Sequence, residues 1–160
     1  MIQRLDPETQ DAIQKYGLRN GLLTTIAPTG TTSMFGGNVS SGIEPVFATS
    51  YKRKITNADG SKSEEVIMDY AAWLYHQMFG DHMRLSEAFV TVGDLTPDDH
   101  VRMQAAAQRW IDSSISKTVN CPEDISFEAF ENVYRQAYDA GCKGCTTYRP
   151  NAVTGSVLSV

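Results

Sequence analysis

The sequence predicts an α/β protein with few strands for its helices, and three observations carry that prediction. Several amphipathic segments each lie between a capping residue and a glycine stop, the pattern of globular helices. The last of them sits between two β-prone runs, Ser113 to Val119 and Cys142 to Tyr148. With about 20 residues between them, these two runs have the spacing of a parallel crossover. Finally, the chain offers so few strands that any parallel sheet it forms has exposed edges. A larger sheet or barrel, completed by other polypeptide, is therefore expected.

The elements follow in order. Asp6-Pro7-Glu8 opens the first helix, with Asp6 as cap and Pro7 at the first position, and Gly17 ends it. Leu22 to Ile26 reads as a short buried strand ending at Pro28. From Pro28 to Pro45 the residues are mostly Gly, Ser, Thr and Asn, a long loop anchored by Met34, Phe35, Val39 and Ile43. Val46 to Ile55 reads as a second extended segment, followed by a turn at Asn57 to Gly60. Ile67, Tyr70, Ala71, Leu74 and Met78 then form one apolar helical stripe that stops at Gly80. Thr96-Pro97-Asp98-Asp99 starts a helix whose buried side is expected to carry Met103, Ala107, Trp110 and Ile111. A further helix begins after Ser126, with Phe127, Phe130, Val133, Tyr134, Ala137 and Tyr138 inward, and stops at Gly141. The basic triplet Lys52-Arg53-Lys54 reads as a solvated edge.

Composition excludes several function classes. The 160 residues carry a formal charge of -5, which disfavours nucleic-acid binding through a broad basic surface. Hydrophobic residues make up 41% and charged ones 21%, ordinary for a soluble globular chain rather than a disordered one. No stretch approaches the roughly 18 apolar residues of a membrane span, and the first ten residues lack a signal-peptide core. Three cysteines, an odd number, fit a reducing compartment, so the cytoplasm is expected.

The segment Ala27-Pro28-Thr29-Gly30-Thr31-Thr32-Ser33 joins an apolar run to a helix start through one glycine and four hydroxyl residues. Bare amides at a helix N-terminus, flanked by hydroxyls, suit phosphate oxygens. Gly30 allows close approach of the main chain, while Thr31, Thr32 and Ser33 offer amide and hydroxyl donors. No lysine follows the glycine, which disfavours a P-loop ATPase. The competing reading is a plain strand-to-helix turn with hydroxyl caps.

Cys142-Lys143-Gly144-Cys145 has the spacing of a redox pair or half a zinc site. Zinc needs four ligands, and Cys121, His76, His82 and His100 make no second paired motif. On a strand the two thiols would point to opposite faces, so buried apolar thiols are the simpler expectation. No histidine accompanies a nucleophile, and Glu44 has no evident carboxylate partner, so acid/base catalysis within this chain is unsupported. Asn38-Val39-Ser40 matches a glycosylation acceptor, which carries no weight without a secretion signal.

Three blocks carry a family resemblance. They are Asn20 to Ser33 with Gly37 to Pro45, then Ile111-Asp112-Ser113-Ser114-Ile115-Ser116-Lys117-Thr118-Val119-Asn120, then Gly141 to Asn151. In this order and spacing the chain resembles the late part of the catalytic domain of adenosylcobalamin-dependent (class II) ribonucleotide reductases, essentially end to end.

The resemblance implies that residues 1–160 are the C-terminal section of a ten-stranded α/β barrel that holds a ribonucleotide. Thr29, Gly30, Thr31, Thr32 and Ser33 match the loop that grips the substrate diphosphate. The family reaction abstracts the ribose 3'-hydrogen with a cysteine thiyl radical, releases the 2'-hydroxyl and oxidises two further cysteines. In class II enzymes adenosylcobalamin generates the radical. Reductases fed by a second subunit carry a tyrosine pair on the last strand, whose counterparts here are Thr146 and Thr147, with Tyr148 adjoining. The radical cysteine, the oxidised pair, the allosteric site and the C-terminal cysteine tail of the family have no counterpart. Cys121, Cys142 and Cys145 are therefore not assigned those roles.

The expected function is part of a vitamin B12-dependent ribonucleoside-diphosphate reductase, an oxidoreductase of DNA precursor synthesis, inactive alone. Its partners would be the nucleotide and the N-terminal remainder, with no membrane and no direct nucleic-acid binding. The alternatives are a non-catalytic nucleotide-phosphate-binding module and a small thiol-redox protein.

Overall fold

Capping residues set where the helices begin. In the computed structural model, which describes residues 2–150, α1 spans Pro7–Tyr16, α2 Gly30–Phe35, α3 Tyr70–Phe79, α4 Pro97–Gln108 and α5 Phe127–Asp139. Asp6 accepts the Thr9 amide at 2.9 Å, Thr96 and Asp99 cap each other reciprocally, and Ser126 accepts the Ala129 amide at 3.1 Å. Each such bond satisfies a first-turn N–H that helix geometry leaves without a partner.

Strands β1 (Ser50–Thr56) and β2 (Lys62–Met68) form an antiparallel hairpin, running from the pair Ser50 and Met68 to the pair Thr56 and Lys62. Strands β3 (Thr118–Asn120) and β4 (Thr146–Tyr148) are parallel, in register Thr118 with Thr146, and α5 connects them. The expected strand, helix, strand crossover is therefore present, with strands shorter than the two β-prone runs. The described residues form a mixed α/β structure with several helices and few strands, and no closed barrel.

Between the helices and the parallel strands lies the core. Val101 of α4, Val119 of β3, Cys121, and Val133 and Ala137 of α5 are buried together, with Ile125, Phe130, Cys142 and Cys145 packed against them. Burial alternates along the segment leading into β3. Ile115, Lys117 and Val119 are buried on the helix side, while Ser114 and Ser116 are exposed and Thr118 and Asn120 half-buried on the other. The period of two is that of extended chain, and it gives this sheet one apolar and one polar face.

Several expectations are corrected. Leu22 to Ile26 is not a buried strand: it makes a single parallel bridge, Ile26 with Ile115, and Leu22 and Leu23 are exposed. It lies beside residues 113–116 through Ser113 N–H to the Thr24 carbonyl and Ser116 N–H to the Ile26 carbonyl, both 3.0 Å. No second strand pairs with it among the described residues, which leaves Leu22 and Leu23 uncovered. The second extended segment begins at Ser50 rather than Val46, which makes only a bridge to Thr91.

Ile67 belongs to β2, because Asp69 caps α3 two residues later by accepting the amides of Ala71 and Ala72 at 3.0 and 3.1 Å. The stripe Tyr70, Ala71, Leu74 and Met78 is exposed, and Ala72 is the buried residue of α3. In α4 the buried side is His100, Val101, Gln104 and Gln108, whereas Met103 and Trp110 are exposed. The glutamines win because the adjoining strand ends offer main-chain partners. Gln104 Nε2 donates to the Gly144 carbonyl at 2.6 Å, and Gln108 Nε2 to the Ser113 carbonyl at 2.8 Å. In α5, Val133 and Ala137 are buried as expected, but Phe127 and Tyr138 are 79% and 82% exposed. Apolar faces of this size on several elements mark surfaces that lack their covering layer.

Candidate functional site

The Pro28 to Ser33 turn divides its predicted residues between two roles. Thr29, the residue before α2, has φ 52° and ψ 22°, a left-handed conformation that a β-branched residue holds only when its surroundings enforce it. The enforcing contact is Gly42 N–H, which donates to Thr29 Oγ1 at 2.8 Å. Ser33 is buried, its amide donates to the Thr29 carbonyl at 2.8 Å, and its hydroxyl donates to the Val39 carbonyl. Thr29 and Ser33 therefore brace the turn from within. The amides of Gly30, Thr31 and Thr32 meet no acceptor among the described residues, and all three residues are exposed. A Cβ at Gly30 would find nothing within 4 Å, so nothing crowds the main chain at that residue.

Gly42 fixes the neighbouring loop. At φ 55° it occupies the left-handed region, and an added Cβ would stand 3.1 Å from the Ala27 carbonyl oxygen. Only a residue without a Cβ lets residues 41–45 lie this close to the strand-to-helix turn.

Two residues farther on, Glu44 enters a buried cluster that sequence reasoning missed. Lys117 Nζ contacts Glu44 Oε2 at 2.7 Å, His100 Nδ1 at 2.8 Å and the Thr118 carbonyl at 2.9 Å. Glu44 Oε1 also accepts the Thr118 amide at 2.5 Å. An ammonium has three protons and all three are used, so His100 Nδ1 accepts and the ring proton sits on Nε2. That Nε2 is buried without a partner among the described residues. Burial, then the Lys117 charge, push the His100 pKa down, against smaller opposing effects of Glu44 and Asp99, so the ring is neutral. The cluster borders a cleft of about 650 Å³ between residues 40–45 and α4. The signal lay in the strand period: Lys117 falls between Ile115 and Val119, on the face that must be buried.

On the polar side of the sheet, Thr146 and Tyr148 of β4 join Ser114 and Ser116 as exposed residues. Thr147 turns to the helices, where Tyr134 Oη meets its hydroxyl at 2.9 Å. Tyr148 thus shares a strand face with Thr146. Cys142 and Cys145 precede β4 instead of lying on it, and both pack on the same core. Burial pushes the thiol pKa of Cys121, Cys142 and Cys145 upward, the opposite of a reactive thiol. Among the described residues no three His, Cys, Asp or Glu side chains gather as a metal site, and no helix is long and apolar enough to cross a membrane. Asn151, which closes the third sequence block, lies outside the described residues.

The described residues thus combine two short parallel strands joined through α5, a polar sheet face and open amides at the start of α2, a mixed α/β arrangement. The family described as ribonucleotide reductase, barrel domain, matches residues 5–148, and the chain belongs to that family. It is 37% identical over 158 residues to the vitamin B12-dependent ribonucleoside-diphosphate reductase of Thermoplasma acidophilum, covering 89% of this chain and 20% of that protein. The Mycobacterium tuberculosis protein of the same name is 35% identical, with 88% and 22% covered. The vitamin B12-dependent ribonucleotide reductase of Streptomyces clavuligerus is 28% identical, with 91% and 18% covered. The chain thus spans about a fifth of the length of these relatives.

Proposed function

We propose that this chain forms the C-terminal section of the catalytic barrel of a cytoplasmic, vitamin B12-dependent ribonucleoside-diphosphate reductase. In this reading, the amides of Gly30, Thr31 and Thr32 hold the substrate's diphosphate. The observation that carries it is the set of three exposed, acceptor-free amides on a braced turn. Amides aimed by backbone geometry bind phosphate oxygens without a lysine, and the positive end of the helix adds to the attraction. The hydroxyls of Thr31 and Thr32 lie beside them, while Thr29 and Ser33 keep the turn in shape. The relatives in Thermoplasma and Mycobacterium are named as diphosphate reductases, which supports a diphosphate substrate.

The other parts of the chain serve the barrel. The polar sheet face supplies an inner wall able to hydrogen-bond a nucleotide, and the buried face holds α4 and α5 outside. Adenosylcobalamin, when bound to the complete enzyme, supplies the radical. Thr146 and Thr147, at the positions that resemble a tyrosine relay, have no phenol, which fits a radical source inside the barrel. All three thiols are packed on the helix side with raised pKa, so none is placed to act on a ribose. The reactive cysteines must come from the N-terminal remainder, which would also cover the exposed apolar faces, and the chain alone is inert.

The test is the double variant Thr31→Asp with Thr32→Asp in the reductase assembled from this chain and its remainder. Acidic residues in a helix's first turn favour the helix, so folding is retained. Carboxylates beside the phosphate oxygens should weaken nucleotide binding by several kcal/mol through repulsion. Calorimetry showing unchanged nucleotide affinity would refute the loop assignment. Tight diphosphate binding by the isolated chain would favour a stand-alone binding module instead.

A further inference from the structure

We infer that Lys117 is a positioning residue for the diphosphate loop, acting through Glu44 and Gly42 on Thr29; this rests on the reading of Gly30 to Thr32 as the phosphate-holding amides. Lys117 lies between the Ile26–Ile115 bridge and the start of β3, with its side chain 1% exposed. A charge in that place is costly, and an unbranched apolar side chain of similar length would fill the space. What the ammonium adds is direction, because its three protons require three acceptors in fixed places. Those acceptors belong to three separate parts of the fold: His100 on α4, the Thr118 carbonyl on the strand, and Glu44 on the loop.

Glu44 is gripped at both oxygens. The amides of Ser116 and Thr118 both face the edge beside residues 22–26: Ser116 N–H reaches the Ile26 carbonyl, and Thr118 N–H reaches Glu44 Oε1. The opposite edge faces β4, where Cys121 N–H reaches the Tyr148 carbonyl. The Glu44 carboxylate therefore continues the sheet edge at the point where the 22–26 segment ends. It stands in for the next strand carbonyl, and Lys117 keeps it there.

From Glu44 the constraint reaches the phosphate loop by short covalent and hydrogen-bonded steps. Glu44 N–H donates to the Ser41 carbonyl at 3.0 Å, and the Ser40 hydroxyl donates to the Glu44 carbonyl, which closes residues 40–45 into one turn. Gly42 in that turn donates to Thr29 Oγ1 and holds Thr29 in its left-handed conformation, one residue before Gly30. Without Lys117, the partly exposed Glu44 carboxylate gains more from water than from the sheet edge. The turn then relaxes, and the amides lose their common aim.

The experiment measures steady-state kinetics of the assembled reductase, with inorganic pyrophosphate as a competitive probe of the phosphate loop. Lys117→Met should raise both the nucleotide KM and the pyrophosphate Ki by about tenfold, the scale of one lost hydrogen bond to the phosphate. Glu44→Ala should do the same, and Glu44→Gln should recover only a part of the loss, because its single amide oxygen can accept from Thr118 or from Lys117 but not from both. A merely structural lysine would lower the amount of active enzyme and leave KM and Ki unchanged, and that result overturns the inference. If Lys117→Met does not fold, unchanged KM and Ki in Glu44→Ala overturn it equally. Thr31→Asp separates the two readings. If it raises both constants while the Lys117 and Glu44 variants do not, the inference fails and the loop assignment stands. If Thr31→Asp also changes nothing, the loop assignment fails and takes the inference with it.

Discussion

Gly30→Ala separates what the loop does for folding from what it does for a ligand. Gly30 occupies the first position of α2 with ordinary helical geometry, and a methyl group there would touch nothing within 4 Å. Replacing glycine at a compatible position removes freedom from the unfolded chain, so stability should rise by about 0.4–1 kcal/mol. The same methyl group would stand in open space on the residue that carries the first of the three amides. If it costs the phosphate one charge-assisted hydrogen bond, affinity falls by about 1.5–3 kcal/mol. That is roughly ten- to a hundredfold in Kd. Titration calorimetry with pyrophosphate and a urea unfolding curve, both on the assembled protein, read the two quantities separately. Stability up and affinity down is the expected pair. An alanine variant with unchanged or tighter pyrophosphate binding would show that this open space is not where phosphate sits.

Other consequences follow from the same contacts. Gly42→Ala forces a side chain into the left-handed region and against the Ala27 carbonyl, so unfolding should need about 1–2 kcal/mol less, with pyrophosphate affinity falling in parallel. The three thiols should be unreactive toward a thiol reagent at neutral pH until the protein is denatured, and two fast-reacting thiols in the native state would revive the redox reading. The carboxyls of Asp6 and Asp99 are held below their ordinary value of 3.8, chiefly by the Thr9 hydroxyl and the Thr96 hydroxyl respectively. A depressed folded-state pKa stabilises the protein above the unfolded value, and the benefit is lost as pH falls through the folded one. Helix content followed by circular dichroism should therefore hold at mildly acidic pH and fall only below 3.8 on account of these caps. A loss centred well above that value would contradict the capping account.

Elements with strong local signals were legible in the sequence. The caps Asp6, Thr96 and Ser126 fixed three helix starts, because a cap is a bond between residues three apart and needs nothing distant. The crossover through α5 was legible from spacing alone. The hydroxyl-rich turn was legible as a candidate phosphate loop because its chemistry is written in consecutive residues.

What could not be read was which apolar residues would be covered. Met103, Trp110, Phe127 and Tyr138 have the spacing of buried faces yet are exposed, while His100, Gln104, Gln108 and Lys117 are buried. Periodicity reports that a face seeks a partner, and only the tertiary structure decides whether a neighbour is there and what atoms it presents. Strand ends with unpaired carbonyls made glutamines the better choice for α4. The Lys117 cluster was hidden for the same reason, since Glu44, His100 and Lys117 are separated by dozens of residues and meet only when α4 closes over the sheet edge. The sequence by itself determined the family blocks, the three capped helix starts and the loop's chemistry, all of which depend on neighbouring residues. The tertiary structure alone decided that Thr29 and Ser33 brace the loop while Gly30, Thr31 and Thr32 remain open, because hydrogen bonds across the fold consume one set of donors and spare the other.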